Sequence, residues 1–194
     1  MSATVPSPAA LRRIALDAAG AVSADLAAAF RRPSAAGPGP EAKSTHHDLV
    51  TVHDRHTEAR LVAALTTAVP GSAVLGEELG ARDGAGEAAR LTWIVDPIDG
   101  TSNFAHGFAM FSVSVAAAVD GEVVAGVVLD PVSGLAFSAD DHGAWLARPG
   151  EAERPLADVA RPAPAGGERA QNLVTSYPAG EALAFEGEDA LRRF

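Results

Sequence analysis

The sequence predicts an α+β fold, and three observations predict it. Helical periodicity fills the first third of the chain, short apolar runs punctuated by tight-turn signals follow, and 47% of the 194 residues are apolar. That apolar share suits a packed core, and helices followed by antiparallel strands give segregated layers. The chain has the length of one domain, read here as residues 1–194.

Ser7-Pro8 opens the first helix, with serine as N-cap and proline at the first helical position. Leu11, Ile14, Ala18, Val22, Leu26 and Phe30 then fall on one helical face. Residues 32–40, rich in proline, glycine and alanine, read as a loop. A second helix is expected over residues 54–67, with Ala59, Val62, Ala63 and Leu65 apolar. The apolar run 73–75 precedes Gly76-Glu77-Glu78, and the run 91–95 precedes Asp96; both read as strands whose C-terminal ends deliver acidic residues. A meander follows. Strands are expected at 111–119 and 122–129 around the Asp120-Gly121 turn, and at 135–138 and 144–147 after a turn at 130–134. Residues 148–169 read as a long connection, 173–176 as a further strand, and 180–194 as the opening of a helix. No internal repeat is present.

Charge and composition narrow the function. The formal net charge of −10 repels nucleic acid and anionic membrane surfaces, so neither is expected as a partner. A phosphate substrate would be repelled as well, unless bound cations reverse the local field. The absence of cysteine removes disulfides and thiolate metal sites and leaves hard, oxygen-liganded ions. Arg12, Arg13 and Asp17 interrupt the apolar residues near the start, which does not suit a signal peptide, and no run approaches the length of a membrane span. A soluble cytoplasmic protein is the expectation.

The centre of the chemistry is Trp93-Ile94-Val95-Asp96-Pro97-Ile98-Asp99-Gly100-Thr101. Pro97 and Gly100 oppose a helix, so an apolar strand is expected to end at a turn carrying both acids. Crowded carboxylates need a counter-charge, and magnesium suits them. Gly100 lets the backbone approach a bound group, and the amides after it would face an anion. Asp96 and Asp99 equally suit turn formers, Glu77 and Glu78 a solvated acidic loop, and Asp54 a helix N-cap. Lys43 is the only lysine in the chain. His46, His47, His53 and His56 cluster locally but have no metal-ligand spacing, and magnesium avoids imidazole; they read as surface or supporting residues.

In order along the chain, K-S-T-H-H-D-L-V-T-V-H-D, G-E-E and W-I-V-D-P-I-D-G-T-S-N-F-A-H-G resemble the motifs of the inositol monophosphatase family. The resemblance implies the layered αβαβα sugar-phosphatase fold, of which this chain would hold the N-terminal portion, with the C-terminal α/β part missing. It implies that Glu77, Asp96 and the carbonyl of Ile98 ligate a first Mg2+, and that Asp96 and Asp99 ligate a second. Asp54 and Thr101 would orient and deprotonate a metal-bound water. Gly100, Thr101 and Ser102 would bind the phosphate, with Lys43 a further site residue. The activity implied is Mg2+-dependent hydrolysis of a small phosphomonoester, foremost inositol monophosphate. Histidinol phosphate, fructose bisphosphate or a nucleotide 3'-phosphate are alternatives, since those relatives share these motifs. Family members commonly dimerise.

Ala109 stands where proline is common in the family, a change of small expected effect. Whole members continue further and carry a glycine-serine-alanine element and a tryptophan-aspartate motif that completes the second metal site. Trp145 is followed by Leu146 and does not supply it. The expectation is a fragment or a truncated product, less active and less stable than a longer form. A non-catalytic remnant that binds magnesium weakly or serves as a partner is the competing class.

Overall fold

A computed structural model describes residues 4–31, 41–42, 49–50 and 52–159. The expected strand at 173–176, the helix opening at 180–194, and Lys43, His46 and His47 lie outside the described residues.

Helix α1 spans Pro8–Phe30. The Ser7 side chain accepts from the Ala10 amide at 3.4 Å, so the cap forms as its sequence requires. Strands β1 (Glu41–Ala42) and β2 (Leu49–Val50) pair as a small antiparallel ribbon. Helix α2, Val52–Ala68, begins before the expected position 54, which places Asp54 inside the first turn rather than at the cap.

Then come β3 (Ala73–Gly76), β4 (Gly80–Arg82), a 3-10 turn at Gly86–Arg90, β5 (Leu91–Asp99) and the short helix α3 (Thr101–Ala105). The meander is β6 (Ser112–Val119), β7 (Glu122–Leu129), β8 (Ala136–Asp140), β9 (Gly143–Ala147) and β10 (Arg154–Pro155). Except for β1 and β2, these strands form one eight-stranded sheet in the order β10-β9-β8-β7-β6-β5-β3-β4. Its pairs are antiparallel, save that β3 runs parallel to β5. The mixed sheet with helices is the expected α+β class.

The acidic stretch after Gly76 is a three-residue hairpin loop leading into β4, with Glu77 exposed; Gly80, at φ 73°, supplies the left-handed residue that closes it. Two expectations need correction. Residues 148–169, expected as a long connection, include the short strand β10 at Arg154–Pro155. The chain at Asp96 does not leave the sheet for a turn, because β5 continues to Asp99 with an irregular register between Asp96 and Asp99. Pro97 has no amide to offer the ladder, so the strand bulges there instead of ending.

The helices pack on one face of the sheet. Leu11, Ala15, Ala18, Ala19, Val22 and Leu26 of α1 join Leu61 and Leu65 of α2 against Leu91, Trp93, Val95, Val113, Val115, Ala117, Ala125, Val127 and Leu129. The alternation along β5 to β7 makes this face continuous. The opposite face carries Leu75, Ile94, Val128 and Phe137, all exposed.

Candidate functional site

Parallel pairing sets the first half of the site. Gly76 is opposite Val95 in the β3–β5 register, and the Glu77 amide donates to the Val95 carbonyl at 3.2 Å. The residue after each is an acid, so Glu77, just past the end of β3, stands beside Asp96 within β5. Asp96 also accepts from the Ile98 amide at 3.1 Å across the bulge. Burial is the chief cause that pushes the Asp96 carboxyl up to about 8, followed by the charges of Glu77 and Asp99 and a hydrogen bond with Glu77. Carboxylates crowded to this degree favour either a held proton or a cation. Their donor set is all oxygen, which fits a hard divalent ion.

The second half comes from α2 and the turn after β5. The Thr101 hydroxyl oxygen lies 3.0 Å from Asp54 Oδ1 and 3.0 Å from the Ile98 carbonyl oxygen, so its single proton lies between two acceptors. Asp54 is 1% exposed and Ile98 is fully buried. Gly100, at φ 95°, precedes α3 in the left-handed region. A Cβ there would stand 2.8 Å from the Met110 carbonyl oxygen, so both conformation and space demand glycine. Asn103 Nδ2 donates to that same carbonyl at 2.7 Å and ties the turn to the segment before β6. Behind it, Phe104 packs edge-on to Phe111 with centroids 5.0 Å apart, and His53 lies edge-on to Phe104 at 5.6 Å. His53 and His56 are surface-exposed side chains, as their spacing implies. Ser102 is exposed at the start of α3, with His106 Nδ1 2.8 Å from its carbonyl oxygen.

The inositol monophosphatase family matches residues 8–177. The chain belongs to that family. The inositol-1-monophosphatase of Mycobacterium leprae is 45% identical over 113 residues, 55% of this chain and 37% of that protein. The Nus factor SuhB of Pseudomonas aeruginosa is 48% identical over 92 residues, 47% of this chain and 34% of that protein. Among solved structures, the extragenic suppressor protein SuhB of Bartonella henselae superposes with a TM-score of 0.62 at 32% identity, covering 71% of this chain and 51% of that one. The chain therefore spans about a third of the length of the curated relatives and about half of that structure.

Two features of this inositol monophosphatase-family chain escaped the sequence reading. Asp140, Asp141 and His142 each offer a ligand atom, all within 4.8 Å of one another. Asp140 is engaged there by Arg12, whose Nε donates to it at 2.9 Å. The only sequence signal was the Asp-Asp-His string in a turn. The other feature is Glu58, fully buried in α2. Helical spacing from Asp54, four residues earlier, was its one available signal. No helix among the described residues is long and apolar enough to cross a membrane.

Proposed function

We propose that this chain carries the water-activating and metal-binding part of a Mg2+-dependent phosphomonoesterase acting on inositol monophosphate. The observation that carries the proposal is the 3.0 Å contact between Thr101 and Asp54, beside the crowded acids Glu77, Asp96 and Asp99. Glu77, Asp96 and the Ile98 carbonyl would hold one Mg2+, and Asp96 with Asp99 a second. Bound magnesium would supply Lewis-acid neutralisation of phosphate charge and a lowered pKa for water. The Thr101 hydroxyl would orient the attacking water through Oγ1, and Asp54 Oδ1 would accept the proton that Thr101 passes on. The amides of Gly100, Thr101 and Ser102 would receive the phosphate oxygens. A cation-loaded cluster also reconciles an anionic substrate with a chain of net charge −10.

The test is phosphate release from inositol monophosphate, histidinol phosphate, fructose bisphosphate and a nucleotide 3'-phosphate, with and without Mg2+. Release is expected to require Mg2+, to be fastest for inositol monophosphate, and to fall by roughly 10²–10⁴ in Thr101→Ala. A metal-independent rate, or an unchanged rate in that variant, would overturn the proposal.

A further inference from the structure

Glu58 takes no part in the chemistry above, yet it is fully buried and ionisable. It lies one turn after Asp54 on α2, so both carboxylates leave the helix on the same side. Asp54 meets Thr101, and Glu58 meets the other half of the site. Its Oε2 accepts from the Glu78 amide at 2.7 Å and its Oε1 from the Leu79 amide at 2.9 Å. These amides belong to the hairpin loop between β3 and β4, whose first residue is Glu77. Gly76, on the other side of Glu77, leaves room for the same carboxylate: a Cβ there would come within 1.9 Å of Glu58 Oε1 and 2.6 Å of its Cδ. A fully buried side chain held by two hydrogen bonds has little freedom to retreat from that clash. Glu77 is thus pinned on both flanks, by its own amide on Val95 and by the following amides on Glu58.

We infer that Glu58 is a positioning residue for the metal site: its carboxylate clamps the Glu78 and Leu79 amides and so fixes where the Glu77 carboxylate stands beside Asp96. The inference rests on the metal reading of Glu77 proposed above. One helix then registers both halves of the site, through Asp54 to the β5–α3 turn and through Glu58 to the β3–β4 loop. The physical requirement is general, since a metal-ligating carboxylate needs a held orientation, and loss of such support weakens metal binding by about 10–100-fold.

The experiment measures Mn2+ binding by the loss of its free-ion electron paramagnetic resonance signal, together with hydrogen exchange of the Glu78 and Leu79 amides. Wild type, Glu58→Gln and Leu65→Ala are compared. The carboxamide NH2 of Glu58→Gln donates and does not accept, since its lone pair is delocalised into the carbonyl, so one amide loses its acceptor. Leu65→Ala removes core packing from the same helix and calibrates a loss of stability alone. Glu58→Gln is expected to weaken Mn2+ binding by about 10–100-fold and to speed exchange at both amides. Leu65→Ala is expected to lower the melting temperature while leaving Mn2+ affinity unchanged. In turnover, Glu58→Gln is expected to raise the half-saturating Mg2+ concentration while the rate at saturating Mg2+ recovers. Unchanged Mn2+ affinity in a folded Glu58→Gln overturns the inference and leaves the metal reading standing. A wild type that binds no Mn2+ overturns both. If Glu58→Gln loses its fold, Gly76→Ala displaces the same carboxylate from the loop side; collapse of that variant too would make Glu58 a fold determinant and overturn its positioning role.

Discussion

Two carboxylate clusters in this molecule have opposite environments. At the β8–β9 end, Asp140 and Glu153 surround the Arg12 guanidinium, which also donates to Ser138 Oγ at 2.8 Å and lies 4.1 Å above the Trp145 ring. Arg12 is 7% exposed, and the hydrogen bonds it donates to Glu153 and then Asp140 oppose its desolvation and hold its pKa above the ordinary arginine value. At the β5 end, burial first and then the acids Glu77 and Asp99 raise the Asp96 pKa, and among the described residues the Ile98 amide favours its charged form. The first cluster brings its own cation from α1 and fastens that helix to the sheet. The second sets acid against acid, an arrangement that favours either a held proton or a cation.

The largest effect expected from this contrast is catalytic. Asp54→Asn is expected to lower kcat for inositol monophosphate by roughly 10²–10⁴ with little change in melting temperature, because the amide cannot take the Thr101 proton. A normal rate in that variant would remove Asp54 from the chemistry.

Next is a matched pair of neutralising substitutions. Asp140→Asn leaves a buried guanidinium short of one partner and is expected to cost about 2–4 kcal/mol of stability by denaturant unfolding, with Mn2+ binding at the β5 end unaffected. Asp96→Asn is expected to do the reverse: it abolishes Mn2+ binding and raises the metal-free melting temperature at pH 9, where like charges no longer crowd. Equal destabilisation by both would erase the distinction between the clusters. Arg12→Lys should cost less, about 1–2 kcal/mol, since lysine keeps the charge but loses the bidentate contact with Glu153 and the planar stack on Trp145.

A separate effect is in pH. Asp96 has a folded-state pKa raised from 3.8 to about 8, so the folded chain holds a proton that the unfolded chain releases. Without metal, stability is expected to fall as pH rises from about 4 to 8 and to level off above, and saturating Mg2+ should reverse the fall. Thermal melts across that range, with and without Mg2+, would show it. A Mg2+ effect independent of pH would sever the link between the ion and this carboxyl.

How much was legible in the sequence depended on distance along the chain. The Ser7-Pro8 helix start, the Asp120-Gly121 turn and the alternating strands of the meander are local patterns, and the structure shows them nearly where they were expected. The strand ends were misjudged at Asp96, because the pattern shows where proline interrupts pairing but not that the neighbouring strand resumes it at Ser112. The Thr101–Asp54 contact spans 47 residues, and only family resemblance suggested it; periodicity alone left Asp54 a helix cap.

The sequence by itself determined the chemical character of this protein: carboxylates without thiolates, acids directly after apolar runs, and a glycine where the backbone turns left-handed at Gly100. Each is a property of a residue and its immediate neighbours. Only the tertiary structure decided what each acid faces. Glu58 reads in the sequence as one more polar position on a helix, yet it holds amides 20 and 21 residues away. Asp140 reads as a turn acid, yet it pairs with an arginine 128 residues earlier. The charge of a carboxylate is written in its side chain, but its energy is set by burial and by the sign of the nearest charge, and those are supplied by segments that only folding brings together.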